Sequence, residues 1–249
     1  MYLDIFYVSI VSFIIYTSSW LVLNMFYLIL DKYKLCQEYR VTKDTIPISE
    51  QINVFKELLL THVTVLLPAQ ILCYPLLKYI GISTDNNDIP TLYGFIAQFI
   101  VLNLFEDFIF YWVHRSLHYP YLYKNIHVKH HKFDTMPGNT FSLNGEYANY
   151  LENIFNDILP IFISIFVFGF YKPTHLRLFW TWIVFRQIRT CDTHSGYDFP
   201  YNPLKLIYFI YGGARIHSVH HSLSGRKYNF GGLRIWDQIF GTEYVPSKE

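Results

Sequence analysis

Apolar residues run along this chain in long blocks rather than in alternation. Residues 5–30 carry no charge. A membrane-spanning helix needs about 20 mostly apolar residues, so this stretch predicts a first span. Residues 58–80 predict a second, kinked at Pro68 and Pro75, with Lys78 reaching back to the surface. A third covers 92–113 and is apolar except for Glu106 and Asp107. Residues 154–190 are apolar in two pieces, interrupted by YKPTH at 171–175. They predict a helical hairpin that enters the membrane and returns. The expected fold class is an all-α integral membrane protein with about four transmembrane helices. The first run lacks a basic start and a small-residue cleavage site, so it reads as a retained anchor rather than a signal peptide. Neither an internal repeat nor a low-complexity tract interrupts the pattern.

Composition strengthens this picture. Charged residues make up only 16% of the chain, against about 25% in an ordinary soluble domain. A net charge of +1 offers no basic stripe for a nucleic-acid partner. Cys36, Cys73 and Cys191 are scattered and odd in number, which fits neither a disulfide framework nor a CxxC metal site. Lysine and arginine set orientation, because loops rich in them stay cytosolic. Lys32, Lys34, Arg40, Lys43 and Lys56 follow the first span, whereas the loop 81–90 has only Asp85 and Asp88. Arg115, Lys124, Lys129 and Lys132 follow the third, and Arg215, Arg226, Lys227, Arg234 and Lys248 lie near the end. The N-terminus is therefore expected in the lumen and the histidine-rich regions in the cytosol.

Those histidines carry the chemistry. HRSLH at 114–118, HVKHH at 127–131 and HSVHH at 217–221 hold most of the chain's 11 histidines. Residues three and four apart share a helix face, so each motif predicts two or three imidazoles on one side of one helical turn. His194, in DTHSGYDFP, adds a ninth. Imidazole suits iron, zinc, copper or nickel. One zinc ion is filled by about four ligands, so His114, His118, His127, His130, His131, His194, His217, His220 and His221 are too many for one ion and imply two. Asp107, seven residues before His114, is placed to accept a hydrogen bond from a ligating ring. Asp192 and Glu106 could do the same. His62 and His175 stand alone and are expected to be packing or polar-contact residues.

Beside predicted spans, these three motifs resemble the fatty acid hydroxylase and sterol desaturase superfamily. FRQIRTCDTHSGYDFPYNPL at 185–204, YGGARIHSVHH at 211–221 and WDQIFGTEY at 236–244 are most similar to 4-methylsterol monooxygenases. GEYANYLENIF at 145–155 lies where that family has a Glu-Tyr-Ala-His-Pro-Leu-Glu segment. The resemblance implies a multi-pass enzyme of the endoplasmic reticulum membrane, with the nine histidines holding two iron ions. It further implies dioxygen as oxidant and electrons from NAD(P)H through cytochrome b5 or a reductase. Residues 1–90 would then be N-terminal spans and a cytosolic loop, and 91–246 the catalytic domain. Three places depart from the family pattern: Asn149 and Tyr150 replace its His-Pro, Arg189 its glutamate, and Ser218 its aspartate.

The expected activity is oxygen-dependent oxidation of a sterol C–H bond, at the 4-methyl group. An unactivated C–H bond has no acidic proton for side-chain catalysis, so a cofactor must carry the step. No side chain beyond the metal ligands is needed as a nucleophile. A sterol 25-hydroxylase-like or other lipid hydroxylase is the nearest alternative. A zinc-dependent, non-redox membrane lipid hydrolase is an alternative of a different class, and a catalytically dead scaffold a third.

Overall fold

Four helices are long and apolar enough to cross a membrane: α1 (Phe6–Lys32), α2 (Ile48–Leu72), α3 (Leu92–Leu117) and α4 (Tyr150–Gly169). At about 1.5 Å per residue each matches a hydrocarbon core about 30 Å thick. The computed structural model describes residues 2–42, 44–135 and 138–245. Lys43, Lys248 and the predicted domain end at 246 lie outside the described residues.

The second span differs from expectation. It starts at Ile48, directly after Pro47, and stops at Leu72 instead of running from 58 to 80. Pro75 has no N–H to offer the carbonyl of Ile71, so the helix cannot continue. It opens a separate short helix, Tyr74–Tyr79. Pro68 stands in the first turn of the α-helical stretch Leu67–Leu72, just after a π-helical turn at His62–Leu66. Such wide turns relieve a ladder that proline interrupts.

The predicted hairpin has unequal arms. After α4 the chain forms a two-residue strand and then a helix. Strand β1 (Ile82–Ser83) pairs in parallel with β2 (Thr174–His175), Ile82 opposite Thr174. This joins the hairpin tip to the loop before α3. The return arm, α5 (Leu176–His194), carries Arg177, Arg186, Arg189 and Asp192 and falls outside the apolar spanning set. It packs on α1 and α3, with Leu178 and Trp182 fully buried. The outer helices turn Val22, Leu60, Ile100 and Phe155 outward. The charged second half of this helix turns Arg186 and Arg189 onto buried carboxylates, as lipid demands of polar groups at membrane depth.

This topology places the histidines. Both α3 and α5 begin at the paired strands and run to the opposite end of the bundle, where α3 ends beside His118 and α5 ends at His194. A further helix, α6 (Gly213–His220), packs against α5 there. The segment after α1 closes the same end: Arg40 pairs with Asp31, and the Tyr197 hydroxyl donates to Asp31 at 2.8 Å.

Candidate metal centre

All nine motif histidines meet at this end, in two groups. One contains His114, His118, His127, His131 and His220; the other contains His130, His194, His217 and His221. Within each group the ligand-type nitrogens lie within 4.8 Å of one another. The sorting is not one motif per group. The i,i+4 pairs 114/118, 127/131 and 217/221 stay together, while His130 and His220 each cross to the other group. The two HxxHH motifs therefore interlock, and neither group is complete without the other motif.

The same split arises on two different local structures. HVKHH is not on an α-helix: His127–Lys129 is one 3-10 turn, and His130 and His131 follow in a turn. HSVHH lies on the last turn of α6, with His221 just beyond it. Two glycines allow the approach of these segments. A Cβ at Gly138 would sit 1.8 Å from the Ser218 carbonyl oxygen, and one at Gly145 2.5 Å from the Thr190 methyl.

The rings are held from behind. His114 Nδ1 meets the Phe230 carbonyl at 2.6 Å, His220 Nδ1 that of Tyr228 at 2.7 Å, and His194 Nδ1 that of Thr190 at 3.0 Å. His127 Nδ1 meets Glu152 Oε1 at 2.7 Å. His131 and His221 place Nδ1 on the two oxygens of one carboxylate, Asp134, at 2.8 and 3.0 Å. Asp134 thereby ties the five-membered group to the four-membered one, and Arg226 Nε donates to it at 2.8 Å. Each acceptor assigns the proton to Nδ1 and leaves the Nε2 lone pair pointing inward.

That inward face fits a metal cation. Nε2 of His114, His220 and His221 is buried without a hydrogen-bond partner, as is Nδ1 of His130 and His217. Nε2 of His127 and His131 approach to 2.9 Å with both Nδ1 protons already committed. Facing lone pairs repel unless a cation lies between them. Burial, then neighbouring imidazoles, keeps His127, His130, His131, His217 and His221 well below the ordinary imidazole pKa. It takes His194 down to about 4 and His220 to about 3. These rings are neutral at physiological pH, the state a metal ligand requires. An all-imidazole donor set suits iron, copper, zinc or nickel and disfavours calcium or magnesium.

The supporting carboxylates are not those expected from sequence. Asp107 accepts from the Leu233 amide at 2.9 Å and pairs with Arg189 at 3.2 Å; no imidazole is among these partners. Seven residues along an α-helix do return to the same face, but Arg189 and the loop at 232–233 reach Asp107 first. Glu106 is held by Arg186 at 2.9 Å and Arg189 at 3.1 Å. Asp192 accepts from the hydroxyls of Tyr211 at 2.5 Å and Tyr27 at 3.2 Å, joining α1, α5 and the loop before α6. Asp134 and Glu152 take the role instead. Asp134 had a signal in lying three residues after His131; Glu152 stands at the final glutamate of the family segment at 146–152, but nothing in its spacing paired it with His127, 25 residues away. The two lone histidines behave as expected: His62 bonds Thr17 and Glu146, and His175 caps α5.

A cavity of about 40 Å³ borders both histidine groups. His114, His130, His194 and His217 line it, together with Glu152, Asn156, Asp157, Arg186 and Arg189 and the apolar Phe110 and Ala148.

Comparison with known proteins places this arrangement. The fatty acid hydroxylase family model matches residues 99–242. A very-long-chain aldehyde decarbonylase of Oryza sativa subsp. indica is 32% identical over 237 residues, covering 94% of this chain and 85% of its own length. Methylsterol monooxygenase 1 of Gallus gallus is 36% identical over 221 residues, covering 86% and 69%. Methylsterol monooxygenase 1-1 of Arabidopsis thaliana is 34% identical over 198 residues, covering 79% and 63%. No solved structure matches the chain.

Proposed function

The chain belongs to the fatty acid hydroxylase family, and on that premise we propose that it oxidises a sterol C–H bond at the 4-methyl group, using dioxygen and two iron ions. The observation that carries this reading is the division of nine buried histidines into two adjacent groups. His114, His118, His127, His131 and His220 would hold one ion, and His130, His194, His217 and His221 the other. Bound there, iron supplies the dioxygen activation that a C–H bond of this kind requires.

The chain's own residues do the rest. Asp134, Glu152 and three backbone carbonyls fix the rings and their protons. The cavity beside the rings admits the reacting end of the substrate, while the apolar outer helices leave its hydrocarbon in lipid. The histidine end is read as cytosolic, since most of the chain's lysines and arginines follow the spans that end there, and the membrane as endoplasmic reticulum. Electrons would come from NAD(P)H through cytochrome b5 or a reductase. Arg115, Arg226 and Lys227 border a surface groove that reaches His118, which supports docking of an acidic donor.

A second reading follows from the rice relative, whose name points to aldehyde decarbonylation. Cells lacking the protein separate the two: accumulated 4-methylated sterols are expected. A normal 4-methylsterol profile with altered long-chain aldehydes would overturn the sterol assignment, and a single missing side-chain oxysterol would favour a 25-hydroxylase-like activity. Substituting His130→Ala or His220→Ala, one from each group, is expected to abolish turnover in membranes while the protein still inserts. Anaerobic activity with zinc would favour the hydrolase alternative.

A further inference from the structure

The cavity beside the histidines is of mixed lining, with Phe110 and Ala148 next to polar side chains that a pure hydrocarbon substrate would not need. Two of its residues carry buried acceptors with no partner: Asn156 Oδ1 and Glu152 Oε2. Both side chains are more than nine-tenths buried. They lie four residues apart on α4, where the helix widens into a π-helical stretch at Asn153–Ile158. Such stretches are frequent at functional sites. Glu152 already spends its other oxygen on His127, so the pair sits one side chain away from the five-histidine group. A buried acceptor left empty is costly unless a ligand fills it.

The charge of the wall selects the ligand. Arg186 is taken by Glu106 and Asp157, and Arg189 by Glu106 and Asp107. Among the described residues lining the cavity, every arginine is thus engaged by carboxylates. A carboxylate or phosphate head would meet Glu152 and Asp157 without a spare cation. A neutral O–H donor meets no such penalty.

We propose that Asn156 and Glu152 form a hydroxyl-binding subsite, which takes the O–H on the ring carbon next to the one that bears the oxidised methyl group and so fixes which carbon faces the histidines. This rests on the reading of the cavity as the place of sterol oxidation. A 4-methylsterol carries such a hydroxyl beside the methyl-bearing carbon. A long-chain aldehyde does not, and a sterol side chain presents no hydroxyl there.

The test compares a 4-methylsterol with its analogue lacking the ring hydroxyl, on the full-length iron-loaded protein in detergent with a reducing system. A site built to bond a hydroxyl rejects the analogue without it by orders of magnitude. A kcat/KM at least about 100-fold lower for the deoxy analogue is expected. Asn156→Leu is expected to narrow that gap to about tenfold or less, since only the hydroxylated substrate loses a partner. Glu152 is unsuited to this substitution because its loss would also release His127. Equal turnover of the two sterols by the wild-type protein overturns the subsite and leaves the sterol reading standing. Turnover of neither, with another lipid consumed, overturns both. The wild-type comparison gives its answer even if the variant fails to fold.

Discussion

Asp134 does for the two histidine groups what no single ligand could: one carboxylate holds a ring from each, through separate oxygens. Its neighbour in this work, Glu152, steadies only His127. Partners of this kind orient ligating rings, and their loss typically costs about 10–100-fold in metal affinity or activity. Asp134→Asn keeps the size of the side chain but puts an N–H where one ring expects an acceptor. Metal analysis of the purified variant is expected to show loss from both groups together. Loss of one equivalent with the other fully retained would show that the carboxylate does not couple them. Eight of the histidines were legible because they stand in three motifs, and His194 through the HSGYD segment that follows the hairpin. Their sorting was not, because it depends on how the turn at His127–Lys129 and α6 meet, which spacing within one motif does not show.

Among the helices, α5 is the least expected. Its apolar first half, around Leu178 and Trp182, reads as the return arm of a membrane hairpin; its second half carries Arg186 and Arg189 into the interior. The Arg189 position, where the family pattern has glutamate, makes structural sense here: its guanidinium lies between Glu106 and Asp107, both fully buried on α3. Breaking a buried pair by removing one partner costs roughly 3–5 kcal/mol, mainly because the remaining charge is stranded. Arg189→Met is therefore expected to lower the thermal unfolding midpoint in detergent clearly, and an unchanged midpoint would mean that the carboxylates are satisfied without it. The third span was legible because its apolar run is uninterrupted from Leu92 onward. The second was misplaced because hydropathy counts Leu76 and Leu77 as span, while the missing N–H of Pro75 ends the helix before them.

At the scale of the whole molecule, a charged helix packs on two of the four apolar ones and three distant motifs meet at one end of the bundle. The strands at Ile82–Ser83 and Thr174–His175 pair between the loops that precede α3 and α5, the two helices that carry His114 and His194. Hydropathy could show the spans but not this pairing, which depends on two residues in each of two separate loops. The reading of the molecule as a two-iron oxidase is decided by metal content and ligation in the active, full-length protein. Elemental analysis with X-ray absorption at the iron edge is expected to find two irons per chain, ligated mainly by histidine nitrogen. An active preparation holding a single ion, or zinc in place of iron, would contradict it.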